Sequence, residues 1–203
     1  MRTLAIECAT EACSVALFEG DTVVAHDHRV LGRGHAERLV PMIAALLDRG
    51  RAERILVSLG PGSFTGVRIG IATARALAYA WNAQISGYPT LALVAAAMRA
   101  DRPGQPLAVC NTGGHGEWFV QKFDASGMPE GEVRSLAPEV AASAIGTARV
   151  GGTQAEALVA QRGHGEASSL HPDARFAVHV PGALLTPEIR PIYGRAPDAR
   201  LPG

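Results

Sequence analysis

One stretch of the sequence has the residue types of a ligand-binding loop. In the run 59-LGPGSFTGVRIG-70, the turn Gly60-Pro61-Gly62 leads directly into an alanine-rich segment that is typical of a helix. Glycine loops before a helix can hold phosphate, because backbone N–H groups and the helix dipole favour an anion there. The spacing does not match a P-loop, since five residues separate Gly60 from Gly66 and Val67-Arg68 stand where the motif needs Lys-Ser/Thr.

Two side chains beside this loop, Ser63 and Arg68, are candidates for a local role. Ser63 does not fit the G-x-S-x-G pattern of a nucleophile elbow, because Pro61 occupies the first glycine position. We therefore expect Ser63 or Thr65 to cap the following helix. Arg68 lies in the first helical turn, where the dipole disfavours a positive charge. Two interpretations of Arg68 stay open: a solvated side chain, or one held by a carboxylate or an anion.

The elements around the loop alternate between strands and helices. Residues 3–30 predict three strands, and residues 34–48 predict a helix on which apolar residues share one face. The run RPGQP at 102–106 is the best linker in the chain. Strands and helices alternate again after it. The sequence therefore predicts a mixed α/β protein with two related lobes, at residues 1–102 and 103–203.

Composition excludes several classes of function. Lys and Arg together number 19 and so do Asp and Glu, so the chain has no net charge to attract a nucleic-acid backbone. Cys8, Cys13 and Cys110 lack the paired spacing of a zinc site. The sequence has neither the pattern of a signal peptide nor that of a transmembrane segment. We expect a cytoplasmic protein without a metal site.

Several motifs taken together are similar to one known family. They are the run GPGSFTGVRIG, the opening MRTLAIECATEACSVAL, the stretch HAERLVP from His35, and the ending P-I-Y-G-R from Pro191 to Arg195. The chain resembles the bacterial TsaB (YeaZ) family along its whole length, most strongly over residues 1–100. The resemblance implies a two-lobed, actin-like ATPase (ribonuclease-H-like) fold with mixed sheets flanked by helices.

The resemblance also implies a function in tRNA modification. TsaB proteins are regarded as non-catalytic partners of the catalytic subunit TsaD, which acts with the ATPase TsaE to place threonylcarbamoyl on adenosine 37 of tRNA. TsaD-type chains carry a His-x-x-x-His metal pair after the equivalent alanine-rich helix, whereas this chain has Tyr88-Pro89-Thr90-Leu91-Ala92-Leu93-Val94 there. The sequence thus predicts a non-catalytic subunit, with tRNA reached only through the complex. An actin-like-fold ATPase or phosphotransferase remains the alternative.

The resemblance places a partner interface on the first helix and on the helix at 67–81. Both a heterodimer with a TsaD-like subunit and a homodimer of the free chain are expected there, and either Arg68→Glu or Leu39→Glu should weaken binding in a folded chain. The predicted interface residues are His35, Leu39, Met42, Ile43, Leu46, Arg68, Ile71 and Arg75.

The predicted loop beside a nucleotide site begins with Glu7, where actin-like folds usually have an aspartate. We expect Glu7 to be a structural carboxylate. No cofactor is predicted for the chain alone, while ATP or ADP at the partner interface, and magnesium with it, stay open. The loop residues are Glu7, Gly60, Gly62, Ser63, Thr65 and Gly66.

Overall fold

A computed structural model describes residues 1–194 of the chain, so Arg195 of the P-I-Y-G-R ending lies outside the described residues. Within residues 1–194 the chain forms ten β-strands, five α-helices and three short 3-10 helices. The strands lie in two five-stranded sheets, one from each half of the chain.

The first sheet is mixed. Its first three strands form an antiparallel meander, as the short turns between them predict, and its last two strands run parallel to the first strand. Residues buried on both faces make the central strands almost continuously apolar. In spatial order the strands are β3 (Thr22–Val30), β2 (Ala12–Glu19), β1 (Arg2–Glu7), β4 (Arg54–Ser58) and β5 (Gln84–Tyr88).

Three helices belong to this first half. α1 (His35–Ala45) and α2 (Phe64–Trp81) contact each other and pack on one side of the first sheet. α3 (Thr90–Asp101) follows β5 and is buried on nearly every side, because its apolar core includes residues of both sheets. A short 3-10 helix, Leu47–Gly50, ends the segment after α1, where Gly50 adopts a φ of 70°.

The second sheet repeats the topology of the first. Again three antiparallel strands are followed by two strands parallel to the first of them, so the prediction of two related lobes matches the strand order. The strands are β6 (Leu107–Thr112), β7 (Trp118–Phe123), β8 (Arg134–Leu136), β9 (Arg149–Gly151) and β10 (Glu166–Ser168), with helices α4 (Pro138–Ala144) and α5 (Ala155–Arg162).

The segment after β10 returns to the first half of the chain. It includes the 3-10 helices Ala174–His179 and Gly182–Leu184. Gly87 and Thr186 exchange backbone hydrogen bonds, and the Ile192 N–H donates to the Leu59 carbonyl at 2.7 Å. The chain therefore passes from the first sheet to the second at the predicted linker, but its last described residues pack on the first lobe. The division at 102/103 stays a prediction.

Candidate functional site

A cleft with a volume of about 850 Å³ lies where the two halves of the chain meet. The first half contributes the turn after β1 and the start of α2, including Thr10, Glu11 and Arg68. The second half contributes the turn between β6 and β7, and the returning segment contributes Tyr193. The glycine loop singled out in the sequence thus forms one wall of this cleft.

The glycines of the loop serve close packing inside the protein. A Cβ atom at Gly62 would lie 1.9 Å from the Ala9 carbonyl oxygen, and one at Gly66 would lie 2.0 Å from the Cys8 carbonyl oxygen. Gly60 has a φ of 94°, a conformation that side chains rarely adopt. Because the chain's own backbone occupies these positions, the small residues hold α2 against the end of β1.

Polar groups at the start of α2 also form hydrogen bonds within the chain. The Ser63 side chain caps the helix by accepting a hydrogen bond from the Gly66 N–H at 3.2 Å, which confirms one of the two capping predictions. The Ser63 N–H itself donates to the Ala9 carbonyl at 2.7 Å. Thr65 is exposed. The loop therefore resembles a phosphate-binding loop in shape, but its glycines pack against the chain's own backbone and its serine caps the chain's own helix.

Glu7, the carboxylate expected beside this loop, is completely buried under it. Its Oε1 accepts a hydrogen bond from the Ala9 N–H at 2.6 Å, and its Oε2 has no hydrogen-bond partner within residues 1–194. Burial raises the pKa of Glu7 to about 7, although the hydrogen bond from the Ala9 N–H acts in the opposite direction. Glu7 therefore lies in the core and does not line the cleft.

Arg68 is held by an aromatic pair at the edge of the cleft. Its guanidinium carbon lies 3.4 Å from the centroid of the Phe64 ring, and its Nη2 donates to the Tyr193 hydroxyl at 2.9 Å. The Phe64 and Tyr193 rings are 6.2 Å apart. The sequence left a solvated side chain or a charged partner open; in the structure the exposed arginine has a ring and a hydroxyl as its partners.

The predicted interface residues separate into two groups. Arg68 and Arg75 are exposed, and Arg75 donates a hydrogen bond to the Ile189 carbonyl at 2.5 Å. The other residues are at most 7% exposed, and the apolar ones among them pack in the core between the helices and the first sheet. These buried residues are His35, Leu39, Met42, Ile43, Leu46 and Ile71.

This burial corrects the choice of contact residues, while the location of an interface stays a prediction. The apolar stripe of α1 is needed to cover the first sheet, so its side chains do not form a surface for a partner. Leu39→Glu is therefore unsuitable as a test of an interface, because it would place a charge in the core.

Three larger side chains of this layer are exposed, and none of them is among the predicted interface residues. Val40 is 55% exposed, Leu47 is 51% exposed and Tyr79 is 93% exposed. Val40 and Tyr79 lie on α1 and α2, away from the buried residues of these helices, and Leu47 begins the 3-10 helix that follows α1. We call this surface the outer helical face, and it consists of Val40, Ala44, Leu47, Ala72, Ala76 and Tyr79. The helical spacing of Val40 and Ala44 on α1, and of Ala72, Ala76 and Tyr79 on α2, was a usable signal.

Two further observations concern ligands and membranes. In the part of the chain that the structure describes, no three His, Cys, Asp or Glu side chains come together as a metal site would need. Within residues 1–194, no helix is both long enough and apolar enough to cross a bilayer.

Comparison with known protein families gives a match over most of the chain. The model of the family described as "TsaD: tRNA N6-adenosine threonylcarbamoyltransferase" matches residues 28–174. The protein named "tRNA threonylcarbamoyladenosine biosynthesis protein TsaB" of Escherichia coli is 38% identical over 149 residues, which cover 69% of this chain and 64% of that protein. The Bacillus subtilis protein of the same name is 38% identical over 101 residues, 47% of this chain and 44% of that protein. The matches thus span less than two thirds of these relatives.

Solved structures extend the similarity to the whole fold. A Pseudomonas aeruginosa protein described as similar to the peptidase YeaZ superposes with a TM-score of 0.80 at 26% identity, covering 96% of this chain and 99% of that one. The ethanolamine utilization protein EutJ of Carboxydothermus hydrogenoformans shares the fold alone, with a TM-score of 0.51 at 9% identity over 89% of each chain. The expected two-lobed actin-like fold is confirmed, and the chain belongs to the TsaB (YeaZ) family.

Proposed function

We propose that this chain is a non-catalytic subunit of the complex that makes N6-threonylcarbamoyladenosine at position 37 of tRNA. Family membership and the printed names of the Escherichia coli and Bacillus subtilis relatives support a role in this biosynthesis. The catalytic partner is a TsaD-like subunit, and a TsaE-like ATPase completes the complex. With equal numbers of acidic and basic residues, the chain contacts tRNA only within that complex.

The single observation that carries this proposal is the outer helical face. Val40, Leu47 and Tyr79 expose apolar surface, and the small side chains of Ala44, Ala72 and Ala76 are exposed as well. Small residues let a second pair of helices approach closely, and an exposed tyrosine is a frequent centre of binding energy. A TsaD-like subunit docks here through two of its own helices, and a homodimer forms on the same face when that subunit is absent.

The interior of the loop supports a role without catalysis. Glycines 62 and 66 pack on the backbone of Ala9 and Cys8, and the carboxylate of Glu7 is buried below them. A phosphoryl-transfer site needs such a carboxylate to face its ligand. The loop in this chain stabilises the lobe that presents the outer helical face.

An ATPase or phosphotransferase is the second candidate, and the cleft is the observation that favours it. A volume of about 850 Å³ has room for a nucleotide, and Glu11 and Arg68 line it. Phe64, Phe119 and Tyr193 give the same cleft aromatic walls. Binding of ATP or ADP there, with or without a partner subunit, is a separate measurement from partner binding.

Light scattering after size-exclusion chromatography tests the proposal, with this chain mixed with the TsaD-like protein of the same organism. We expect a one-to-one complex, and we expect tRNA modification to need both chains. Tyr79→Glu and Val40→Glu should each weaken the complex by roughly 30-fold or more, as loss of a central contact does, without lowering the melting temperature. Arg68→Glu should weaken it less, because Arg68 lies at the end of this face.

Val140→Glu is the matched control, because Val140 is also an exposed helical valine but lies on α4 in the second half of the chain. Equal affinity for the wild type and both outer-face variants would refute the proposed interface. A chain that stays alone and hydrolyses ATP with added magnesium would favour the second candidate.

A further inference from the structure

Two cysteines face each other at the beginning of the first hairpin. Glu7, the last residue of β1, pairs with Ser14 on β2; Cys8 directly follows β1, and Cys13 precedes Ser14 on β2. Their sulfur atoms are 3.6 Å apart, and both side chains are free thiols buried in the first core. Cys110, the third cysteine, lies in a different core within the second sheet.

The geometry brings this pair close to a disulfide. A disulfide bond is about 2.05 Å long, so the two sulfurs have to approach each other by roughly 1.5 Å. No such partner is near Cys110 within residues 1–194.

We propose that Cys8 and Cys13 form a redox-modified site that a peroxide converts into an intrachain disulfide. Both thiols are at most 2% exposed, so local opening of the turn has to admit the peroxide. The thiolate of one cysteine then attacks one peroxide oxygen, which breaks the O–O bond and gives a sulfenic acid and, after protonation, water. The sulfur of the other cysteine then attacks the oxidised sulfur, loses its proton and displaces the hydroxyl group as a second water. Two thiols are oxidised to one disulfide, and one hydrogen peroxide is reduced to two waters.

The hydrogen bond between the thiols affects the pKa of both, and either sulfur can be its donor. When Cys8 donates its S–H to the Cys13 sulfur, the pKa of Cys13 is lowered, since the thiolate is stabilised. The same bond, together with burial, raises the pKa of Cys8.

The modification would act on one wall of the cleft. The turn 9–12 connects the two cysteines, and its Ala9 carbonyl accepts the Ser63 N–H. The Glu11 carbonyl of the same turn accepts the N–H groups of Leu31 and Gly32. A disulfide across the base of the turn fixes these carbonyls in place, so amide hydrogen exchange at Ser63, Leu31 and Gly32 should slow.

The test exposes the folded full chain to hydrogen peroxide, then quenches, denatures and counts thiols by alkylation and intact mass. We expect two of the three thiols to disappear and the mass to fall by two hydrogens, with both changes reversed by a reductant. Peptide mapping should join Cys8 to Cys13. Cys110→Ser should behave like the wild type, whereas Cys8→Ser and Cys13→Ser should keep their two remaining thiols.

Three results would overturn the proposal: all three thiols survive, a cysteine gains oxygen atoms without a disulfide, or Cys110 reacts as fast as the pair. The peptide map of the oxidised wild-type chain distinguishes these results even if a serine variant fails to fold. The outcome is independent of partner binding, because neither cysteine lies on the outer helical face.

Discussion

The two sides of the α1–α2 layer have similar side chains but different environments. On the inner side, Leu39 and Ile71 are almost completely buried against the first sheet. On the outer side, Val40 and Tyr79 belong to the same helices and are more than half exposed. The inner side stabilises the fold, whereas the outer side is available to a partner, so substitutions on the two sides should affect different measurements.

Leu39→Ala tests the inner side and should have the largest effect. The side chain is 0% exposed, so its removal leaves a cavity between α1 and the sheet. We expect the free energy of unfolding to fall by about 2–5 kcal/mol, which urea titration measures.

The neighbouring change Val40→Ala is the control, since Val40 is 55% exposed on the same helix. It should change the free energy of unfolding by about 0.5 kcal/mol or less. Equal losses in the two variants would contradict the division of the layer into an inner and an outer side.

Glu7→Gln should remove a dependence of stability on pH. The pKa of Glu7 is raised to about 7 in the folded chain from 4.5, so the folded state binds more protons than the unfolded state between these values. Stability from this group therefore falls as pH rises from 4.5 to 7, by about 3 kcal/mol in total. At pH 8 the variant should be more stable than the wild type, and at pH 4.5 the two should be similar.

Glu37→Gln corrects for the loss of one negative charge, because Glu37 is exposed on α1. Urea titrations at both pH values provide the comparison. If the difference in free energy of unfolding between the wild type and Glu7→Gln were the same at pH 4.5 and at pH 8, the buried carboxylate would not titrate in this window.

Gly62→Ala tests whether the loop glycines serve packing. The new methyl group would lie 1.9 Å from the Ala9 carbonyl oxygen, and that atom belongs to the backbone. We expect a loss of about 1–3 kcal/mol in the free energy of unfolding, because the backbone of the turn has to move.

Gly114→Ala is the matched control on the opposite wall of the cleft, where an added Cβ meets nothing within 4 Å. It should leave stability nearly unchanged. If Gly62→Ala were as stable as Gly114→Ala, the glycine at 62 would need a different explanation, such as room for a ligand.

Much of the fold could be predicted because its elements have clear local signals. The three strands of the first meander and α1 follow from runs of apolar residues and from helical spacing, and the structure has them nearly where they were expected. The short strands β8, β9 and β10 have three residues each and no such signal. They are strands because their neighbours in the sheet pair with them.

The candidate site was less predictable, because burial depends on the whole fold. Helical spacing placed Leu39 and Met42 on one face but could not show that the sheet covers this face completely. It also gave no reason to expect Tyr193, distant in sequence, beside Arg68. Such contacts are set by the return of the last segment to the first lobe.

Arg68→Ala examines that return and should have the smallest effect on stability. It removes the cation from the Phe64 ring and the hydrogen bond to the Tyr193 hydroxyl, both at an exposed site. We expect a loss of about 0.5–1 kcal/mol, with faster hydrogen exchange at the Ile192 amide, which binds the Leu59 carbonyl. Arg68→Lys, which keeps the charge but not the planar guanidinium, should recover only part of the loss. A loss of unfolding free energy above about 2 kcal/mol would mean that Arg68 contributes to stability as much as the buried residues of the inner side do. Unchanged hydrogen exchange at the Ile192 amide would mean that Arg68 does not help to hold the last segment.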